Sequence, residues 1–230
     1  MNRLILLICL SVSVLSGCAN TNNGVNDDLN SNDNLSTLLY SPAQQTIDLN
    51  DPTAIRTLLA TVNLIVNQSI RYEYDQVVYG ENDYWASPME VLNHRRGDCE
   101  DYAFLKREIL INLGIPRERL KLIQGDVKEM GAFAGKKRIP HIVLAYFPTP
   151  ESHNPMILDN MRTQVMLLKT RNDFRLNYVF DESNVWKSIN TKDDKKVYNT
   201  DILPKFAKLR DRNKAPAFGA SSYIETALAQ

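Results

Sequence analysis

Apolar residues recur three or four positions apart in the first half of the chain, which is the spacing of helices that bury one face. The pattern predicts a helix over residues 52–68, begun by an aspartate and a proline, and a second over 87–93 that opens with a serine cap. A third helix is predicted over residues 99–113, and Gly114 ends it.

The second half of the chain carries short apolar runs between turn residues. The strongest is PHIVLAYF within residues 139–147. Shorter runs predict strands at residues 120–125, 156–160, 164–168, 178–180 and near Trp186. A last helix is predicted over residues 202–212. Because helices come first and strands later, the pattern predicts an α+β fold.

The first 17 residues are typical of a secretory signal. Arg3 gives a positive start, and residues 4–15 form an apolar stretch that is too short to span a membrane, which takes about 20 such residues. The letters LSGC at residues 15–18 resemble a bacterial lipobox, with cleavage before Cys18 and a lipid on its thiol. We therefore expect a periplasmic protein, lipid-anchored to the outer membrane because Ala19 follows. The alternative is an ordinary signal with an incidental cysteine.

Residues 18–37 are rich in Asn, Asp, Ser and Thr, and such a segment buries too little surface to offset its ordering entropy. We expect a flexible tether there, followed by one folded domain over residues 38–230. The chain has 27 basic and 27 acidic residues and no basic block. This balance gives no support for nucleic-acid binding.

Cysteine usage singles out one thiol. Of three cysteines, Cys9 leaves with the signal and Cys18 is the expected lipid site, so Cys99 remains in the domain. Exported proteins usually pair structural cysteines, which makes Cys99 a candidate nucleophile; the alternative is a small buried apolar residue. It starts a predicted helix, whose dipole lowers the pKa of a thiol, and Gly97 lets the backbone turn and leaves the thiol accessible.

A cysteine nucleophile needs a base, and the base needs an orienting carboxylate. His141 opens the strongest predicted strand, whereas His94 is expected to support a loop and His153 to be solvated. Asp159 is the charged residue of a short apolar strand and needs a partner there. If the two strands form a hairpin, Asp159 lies about opposite Val143 and is a diagonal neighbour of His141 on the same face.

Four segments, in order, resemble the bacterial transglutaminase-like cysteine proteinases. They are WASPME at residues 85–90, GDCEDYA at 97–103, PHIVL at 140–144 and ILDN at 157–160. The similarity runs from about residue 62 to residue 186, and the cysteine motif is its most specific part. The best-known members are LapG-type periplasmic proteinases, which cleave the N-terminal region of large surface adhesins and so release biofilm cells.

This resemblance implies a papain-like, transglutaminase-type core, in which a helix carrying the nucleophile packs on an antiparallel sheet. It implies Cys99 as nucleophile, His141 as base and later acid, and Asp159 as the orienting residue. The implied activity is calcium-dependent endopeptidase cleavage of an adhesin at small, alanine-rich sites. The implied regulator is an inner-membrane cyclic-di-GMP receptor.

The resemblance also implies calcium at Asp98, Glu100 and Asp101, whose carboxylates are suitable ligands for this ion. The alternative is that these residues only complement the positive start of the helix. The oxyanion hole is expected to use the Cys99 backbone N–H. Trp85 is a candidate second donor or, alternatively, a buried aromatic that anchors its loop.

The LapG-type proteinases are soluble in the periplasm, whereas this chain carries a lipobox-like motif, which leaves its partner and substrate open. The same acyl-enzyme chemistry would serve a transglutaminase or an amidase acting on cell-wall peptide. A non-catalytic binding module is a third alternative, and the complete set of cysteine, histidine and aspartate argues against it.

Overall fold

The computed structural model describes residue 35 and residues 48–128, 137–187 and 202–214. The predicted signal, the lipidation candidate Cys18 and most of the predicted tether lie outside these residues. Leu35, inside the predicted tether, is fully buried in the main apolar core, so this residue belongs with the folded domain. None of the helices in the described part combines the length and the apolar character of a membrane span.

The helices are α1 (Pro52–Ser69), α2 (Asp75–Val78), α3 (Pro88–His94), α4 (Cys99–Asn112) and α5 (Ile202–Lys214), with 3-10 turns at Arg117–Arg119 and Leu168–Thr170. All but the short α2 were predicted, and capping residues mark where α1 and α3 begin. The side chain of Asp51 accepts hydrogen bonds from the N–H groups of Thr53 and Ala54 at the start of α1. Ser87 and Glu90 form the predicted capping box of α3.

The strands are β1 (Arg71–Tyr72), β2 (Arg96–Gly97), β3 (Leu120–Lys128), β4 (Arg138–Tyr146), β5 (Met156–Leu158), β6 (Met166–Leu167), β7 (Phe174–Phe180) and β8 (Val185–Trp186). Strands β3 to β8 form one antiparallel sheet in the order β6-β5-β4-β3-β7-β8. Strands β1 and β2 form a separate parallel pair that the sequence did not predict. Two-residue strands are too short for an alternating pattern to be recognised.

The β4–β5 hairpin has the register that the sequence predicted. Leu144 pairs with Leu158, so the next positions along the two chains are Val143 and Asp159. Strand β5 ends at Leu158, which leaves Asp159 just beyond the last backbone pair of the hairpin. The carboxylate is therefore carried by a turn, and other contacts must orient it.

Two apolar clusters are divided by the sheet. The larger includes residues of α1, α4 and the sheet, among them Leu59, Leu105, Ile109, Leu122, Ile142 and Leu144. The smaller contains Ile123, Val143, Ala145, Phe147, Ile157, Val179 and Trp186. Alternate residues of β4 enter different clusters because successive side chains of a strand point to opposite faces. Helix α4 packs on β4, which confirms the predicted helix on an antiparallel sheet.

Helix α5 closes the core at the end near the start of α4. Its Phe206 and Leu209 are buried. The Phe206 ring lies edge-on to Phe104, with 5.4 Å between ring centres, and 6.4 Å from the rings of Trp85 and Phe180. The C-terminal helix is therefore held to the domain by aromatic packing.

Candidate active site

The predicted nucleophile and base share one cleft. Cys99 is the first residue of α4 and lies in a cleft of about 500 Å³ that His141 also lines. The backbone N–H of Ile142 faces the Cys99 sulfur. The start of the nucleophile helix thus meets strand β4 beside His141.

His141 is bonded to the predicted orienting residue. Its Nε2 lies 2.8 Å from Oδ1 of Asp159, and the two side chains are 4% and 0% exposed. Since an ionised carboxylate only accepts hydrogen bonds, Nε2 carries the proton and Nδ1 is the nitrogen left for a thiol. Burial alone would raise the pKa of Asp159, but His141, the Met161 N–H and the charge of Arg171 hold it well below its usual range.

The backbone around Asp159 is tied to two helices by a buried polar network. Nδ2 of Asn67, on α1, donates to the carbonyls of Asp159 and Arg162 at 2.9 and 3.0 Å. Nδ2 of Asn63 donates to the same Arg162 carbonyl at 2.9 Å, and its Oδ1 accepts from Nζ of Lys106 at 2.8 Å. The turn that carries Asp159 is therefore joined to α4, the helix that carries the nucleophile.

A glycine makes room for the packing beside His141. Gly125 pairs with His141 across β3 and β4. A Cβ atom at Gly125 would lie 2.4 Å from both the Phe174 ring and the Arg175 carbonyl oxygen. The Phe174 ring occupies this space and lies edge-on to the His141 ring, with 6.4 Å between ring centres. The absent side chain thus lets an aromatic ring pack against the imidazole.

The acidic residues around Cys99 form two overlapping groups. Carboxylates of Asp98 and Glu100 lie within 4.8 Å of each other and of the Cys99 sulfur. Asp98 also lies within 4.8 Å of Asp101 and of Asp75, which comes from α2. Sequence reasoning did not identify Asp75, because its helix was not predicted and the residue is far from the others along the chain.

This acidic cluster fits a cation. Oδ1 of Asp75 and Oδ1 of Asp98 are buried and have no hydrogen-bond partner among the described residues. Burial and neighbouring carboxylates raise the pKa of Asp75 to about 7, of Asp98 to about 9 and of Asp101 to about 8. A divalent cation would contact the two unpartnered carboxylate oxygens and would balance the negative charge of the cluster. Several carboxylate oxygens are the ligands that calcium prefers.

Asp101 also stabilises the start of α4, as the alternative to a calcium-binding role predicted. Its Oδ1 accepts from the N–H of Ala86 at 3.0 Å, and its Oδ2 accepts from the N–H of Asp98 at 3.3 Å. Gly97 is needed for this packing, because a Cβ atom there would lie 2.5 Å from Oδ2 of Asp101. Its φ is not in the left-handed region, so close approach, not a sharp turn, explains this glycine.

The expectation that the helix start lowers the thiol pKa is wrong for the side-chain environment of Cys99. Burial, followed by the charges of Glu100 and Asp98, raises the pKa of Cys99 well above its ordinary value. The Cys99 thiol donates to Oε2 of Glu100 at 3.1 Å. Two carboxylates and desolvation outweigh a helix dipole, which acts as only about half a charge.

Trp85 occupies the position of an anchor for its loop. The residue is 5% exposed, and its ring packs against Phe104 and Phe180 at centre distances of 5.2 and 5.9 Å. Its indole N–H donates to Oδ1 of Asp83 at 3.1 Å. Because this N–H is engaged, the structure favours the packing role over the predicted oxyanion role.

The remaining histidines lie away from the cleft, whereas a residue of the C-terminal helix enters it. His94 packs edge-on against Tyr79, and His153 is exposed. Lys205 of α5 lines the cleft, where its ammonium contacts Asp83 and lies 5.6 Å from the centre of the Trp85 ring. Sequence reasoning missed Lys205 because only the docking of α5 brings it near residues more than a hundred positions earlier.

A family comparison decides how this arrangement is classified. The profile of the bacterial transglutaminase-like cysteine proteinases matches residues 41–194, which is more than half of the chain. The chain belongs to this family. The membership agrees with the resemblance noted in the sequence and extends it toward the N-terminus of the domain.

Solved structures support the same assignment. EGTA-treated LapG from Legionella pneumophila is similar with a TM-score of 0.61 and 26% identity, over 82% of this chain and 91% of that one. Calcium-bound LapG from the same organism gives a TM-score of 0.60 and 26% identity, over 83% and 93%. A comparison with curated proteins finds no match. The transglutaminase-like core is therefore confirmed.

Proposed function

We propose that this protein is a cysteine endopeptidase with Cys99 as nucleophile, His141 as general base and then acid, and Asp159 as the residue that orients the imidazole. The observation that carries the proposal is the 2.8 Å contact between the buried Asp159 and His141, which lines the same cleft as Cys99. Membership in a cysteine proteinase family supports the same reading.

The proposed reaction follows from these positions. His141 takes the proton of the Cys99 thiol at Nδ1, and the sulfur attacks the carbonyl carbon of a peptide bond. The Cys99 backbone N–H, in the unpaired first turn of α4, donates to the developing oxyanion. His141 then gives its proton to the leaving amine, and an acyl-enzyme remains. Water, deprotonated by His141, releases the acid and restores the thiol.

Calcium is proposed to bind at Asp98, Glu100 and Asp101, with Asp75 as a further ligand from α2. The unpartnered buried oxygens of Asp75 and Asp98 support this assignment. When bound, the ion supplies positive charge that offsets the carboxylates now raising the pKa of Cys99. Solved structures of Legionella LapG in calcium-bound and EGTA-treated forms lend further support.

The proposed substrate is the N-terminal region of a large surface adhesin, and the proposed consequence is control of biofilm attachment. Similarity to LapG over most of both chains supports this substrate class. The proposed location is the periplasm, with a lipid on Cys18 anchoring the chain to the outer membrane, as the LSGC motif indicates. An inner-membrane cyclic-di-GMP receptor is the proposed regulator.

The test is cleavage of an adhesin N-terminal fragment by the mature chain, with calcium or with EGTA. We expect cleavage by the wild type in calcium, and none by Cys99→Ala. Ser183→Ala serves as the matched control and should cleave normally, because Ser183 is exposed and does not line the cleft. Cleavage by Cys99→Ala would exclude the thiol mechanism. An intact fragment together with incorporation of an added amine would favour a transglutaminase.

A further inference from the structure

The Asp159 carboxylate contacts a second buried side chain besides His141. It lies just beyond strand β5, so no backbone ladder holds it. Its Oδ1 accepts hydrogen bonds from Nε2 of His141 at 2.8 Å and from the N–H of Met161 at 2.9 Å. Its Oδ2 lies 2.8 Å from Nη1 of Arg171, in an ion pair whose angle is outside the range of a hydrogen bond, and both of these side chains are almost fully buried. The carboxylate is thus held from two sides, with its imidazole on one and a guanidinium on the other.

Arg171 is itself fixed by a bidentate contact. Its Nε and Nη2 donate to the two carboxylate oxygens of Asp173 at 2.9 and 3.0 Å. Asp173 also accepts from Nη2 of Arg162 at 2.9 Å. Four side chains of alternating charge, Arg162, Asp173, Arg171 and Asp159, thus form a row that ends at the His141 imidazole. A planar guanidinium with several donors in a rigid fork can serve two carboxylates at once, whereas an ammonium cannot.

Phe174 connects Arg171 to the imidazole by packing. The guanidinium carbon of Arg171 lies 5.6 Å from the centre of the Phe174 ring, and that ring is edge-on to His141. Arg171 therefore forms an ion pair with Asp159 and packs against the aromatic ring that also contacts His141. Its side chain is 1% exposed, so it contacts the buried Asp159 and not a ligand in the cleft.

We propose that Arg171 is a positioning residue that sets the orientation of the Asp159 carboxylate, and through it the orientation and tautomer of His141. This inference rests on the proposed function of Asp159 and His141. Without the guanidinium, Oδ2 of Asp159 would lose the cation at 2.8 Å and keep only the charge of the Lys106 ammonium, which makes no ion-pair contact with it. A buried carboxylate that loses its nearest cation tends to become protonated or to turn. Either change removes the fixed acceptor for the His141 ring proton.

The test compares Arg171→Met, Arg171→Lys and Asp173→Asn with the wild type in the calcium-loaded mature chain. Arg175→Met is the matched control, because Arg175 is a largely exposed arginine that pairs with Asp126. Nitrogen-15 NMR of the histidine rings, assigned with a His141→Gln variant, reports the tautomer of His141 directly. Rates on the adhesin fragment give kcat and KM.

We expect one His141 tautomer in the wild type, with the proton on Nε2, and its loss in Arg171→Met. The kcat of Arg171→Met should fall about 100-fold, as expected for a misplaced catalytic group, with KM unchanged. Arg171→Lys and Asp173→Asn should lie between Arg171→Met and the wild type. Arg175→Met should match the wild type in both measurements.

A wild-type tautomer and kcat in Arg171→Met would overturn the proposal. If Arg171→Met does not fold, the wild-type tautomer in both Arg171→Lys and Asp173→Asn would overturn it instead. The NMR measurement needs no substrate. A wild type that cleaves no fragment would therefore count against the proposed function, while the tautomer still decides the role of Arg171.

Discussion

The Nε2 atom of His141 lies 2.8 Å from Oδ1 of Asp159, although the residues are 18 positions apart and only one of them belongs to a strand. The hairpin register brings them to the same level of the sheet, and the turn after β5 points the carboxylate at the ring. The contact leaves Nδ1 of His141 available for the Cys99 thiol. Most of the chemistry that we propose depends on this orientation.

Asp159→Asn should lower kcat by about four orders of magnitude, as the equivalent change does in a Ser-His-Asp enzyme. The amide cannot stabilise the imidazolium, and it favours the wrong tautomer of His141. The measurement is cleavage of the adhesin fragment at saturating substrate. Asp51→Asn is the control, because asparagine caps a helix as well as aspartate does. Unchanged kcat in Asp159→Asn would remove Asp159 from the mechanism.

Calcium should stabilise the folded chain. Free calcium at 100 times its Kd would add about 2.7 kcal/mol to the free energy of unfolding, which corresponds to a rise of about 5–10 °C in Tm. Asp98→Asn should abolish most of this rise, because Asp98 belongs to both acidic groups. Thermal melting with calcium and with EGTA provides the measurement. Asp51→Asn should keep the full rise, and a full rise in Asp98→Asn would refute the assigned ligands.

In EGTA, the free energy of unfolding should fall as the pH rises from 5 to 8. The pKa values of Asp75, Asp98 and Asp101 in the folded chain are about 7, 9 and 8, above the ordinary aspartate value of 3.8. The folded state therefore binds more protons than the unfolded state in this range, and the stability that these protons provide is lost as they leave. Each proton difference changes stability by about 1.4 kcal/mol per pH unit.

Urea unfolding at several pH values would measure this slope. Asp98→Asn should reduce it, because one titrating carboxyl is lost and its repulsion of the others disappears. Saturating calcium should also reduce it, since the ion stabilises the ionised carboxylates. A stability that rises between pH 5 and pH 8 in EGTA would contradict the raised pKa values of these carboxyl groups.

Phe206→Ala should destabilise the domain by about 3–5 kcal/mol, the usual cost of deleting a buried aromatic side chain. The ring packs on Phe104, Trp85 and Phe180, so its loss leaves a cavity or releases helix α5. Urea unfolding followed by tryptophan fluorescence would measure the change. Lys208→Ala, on an exposed position of the same helix, is the control and should change stability by less than about 0.5 kcal/mol.

Much of the fold was readable from local signals. The starts of α1 and α3 follow from capping residues that act within one turn of the chain. Strand β4 follows from a continuous apolar run, and its pairing with β5 follows from their being consecutive strands along the chain. The short pieces α2, β1 and β2 were missed. The four residues of α2 are too few to show a period, and β1 and β2 contain no aliphatic residue, whereas the equally short β6 and β8 lie in predicted apolar runs. The prediction of a transglutaminase-like core came from the resemblance in four segments and is confirmed by family and structure.

The candidate site was predictable in part. Cys99, His141 and Asp159 were identified from cysteine count, strand position and motif. In the structure Cys99 and His141 line one cleft, and the buried Asp159 contacts His141. Asp75, Arg171 and Lys205 were not identified, because each is an ordinary charged residue in its own segment. The sign of the thiol pKa shift was also missed, since it depends on how deeply Cys99 and its acidic neighbours are enclosed.

The sequence by itself determined the helix starts, the strand order of the main hairpin and the three residues of the proposed mechanism. These depend on interactions between residues close in the chain or on motifs that can be read in order. Only the tertiary structure decided what surrounds those residues: Arg171 behind Asp159, Asp75 beside Asp98, and the indole N–H of Trp85 turned to Asp83. Burial and electrostatic fields depend on the packing of segments that are distant in the chain, so they cannot be predicted from the local sequence.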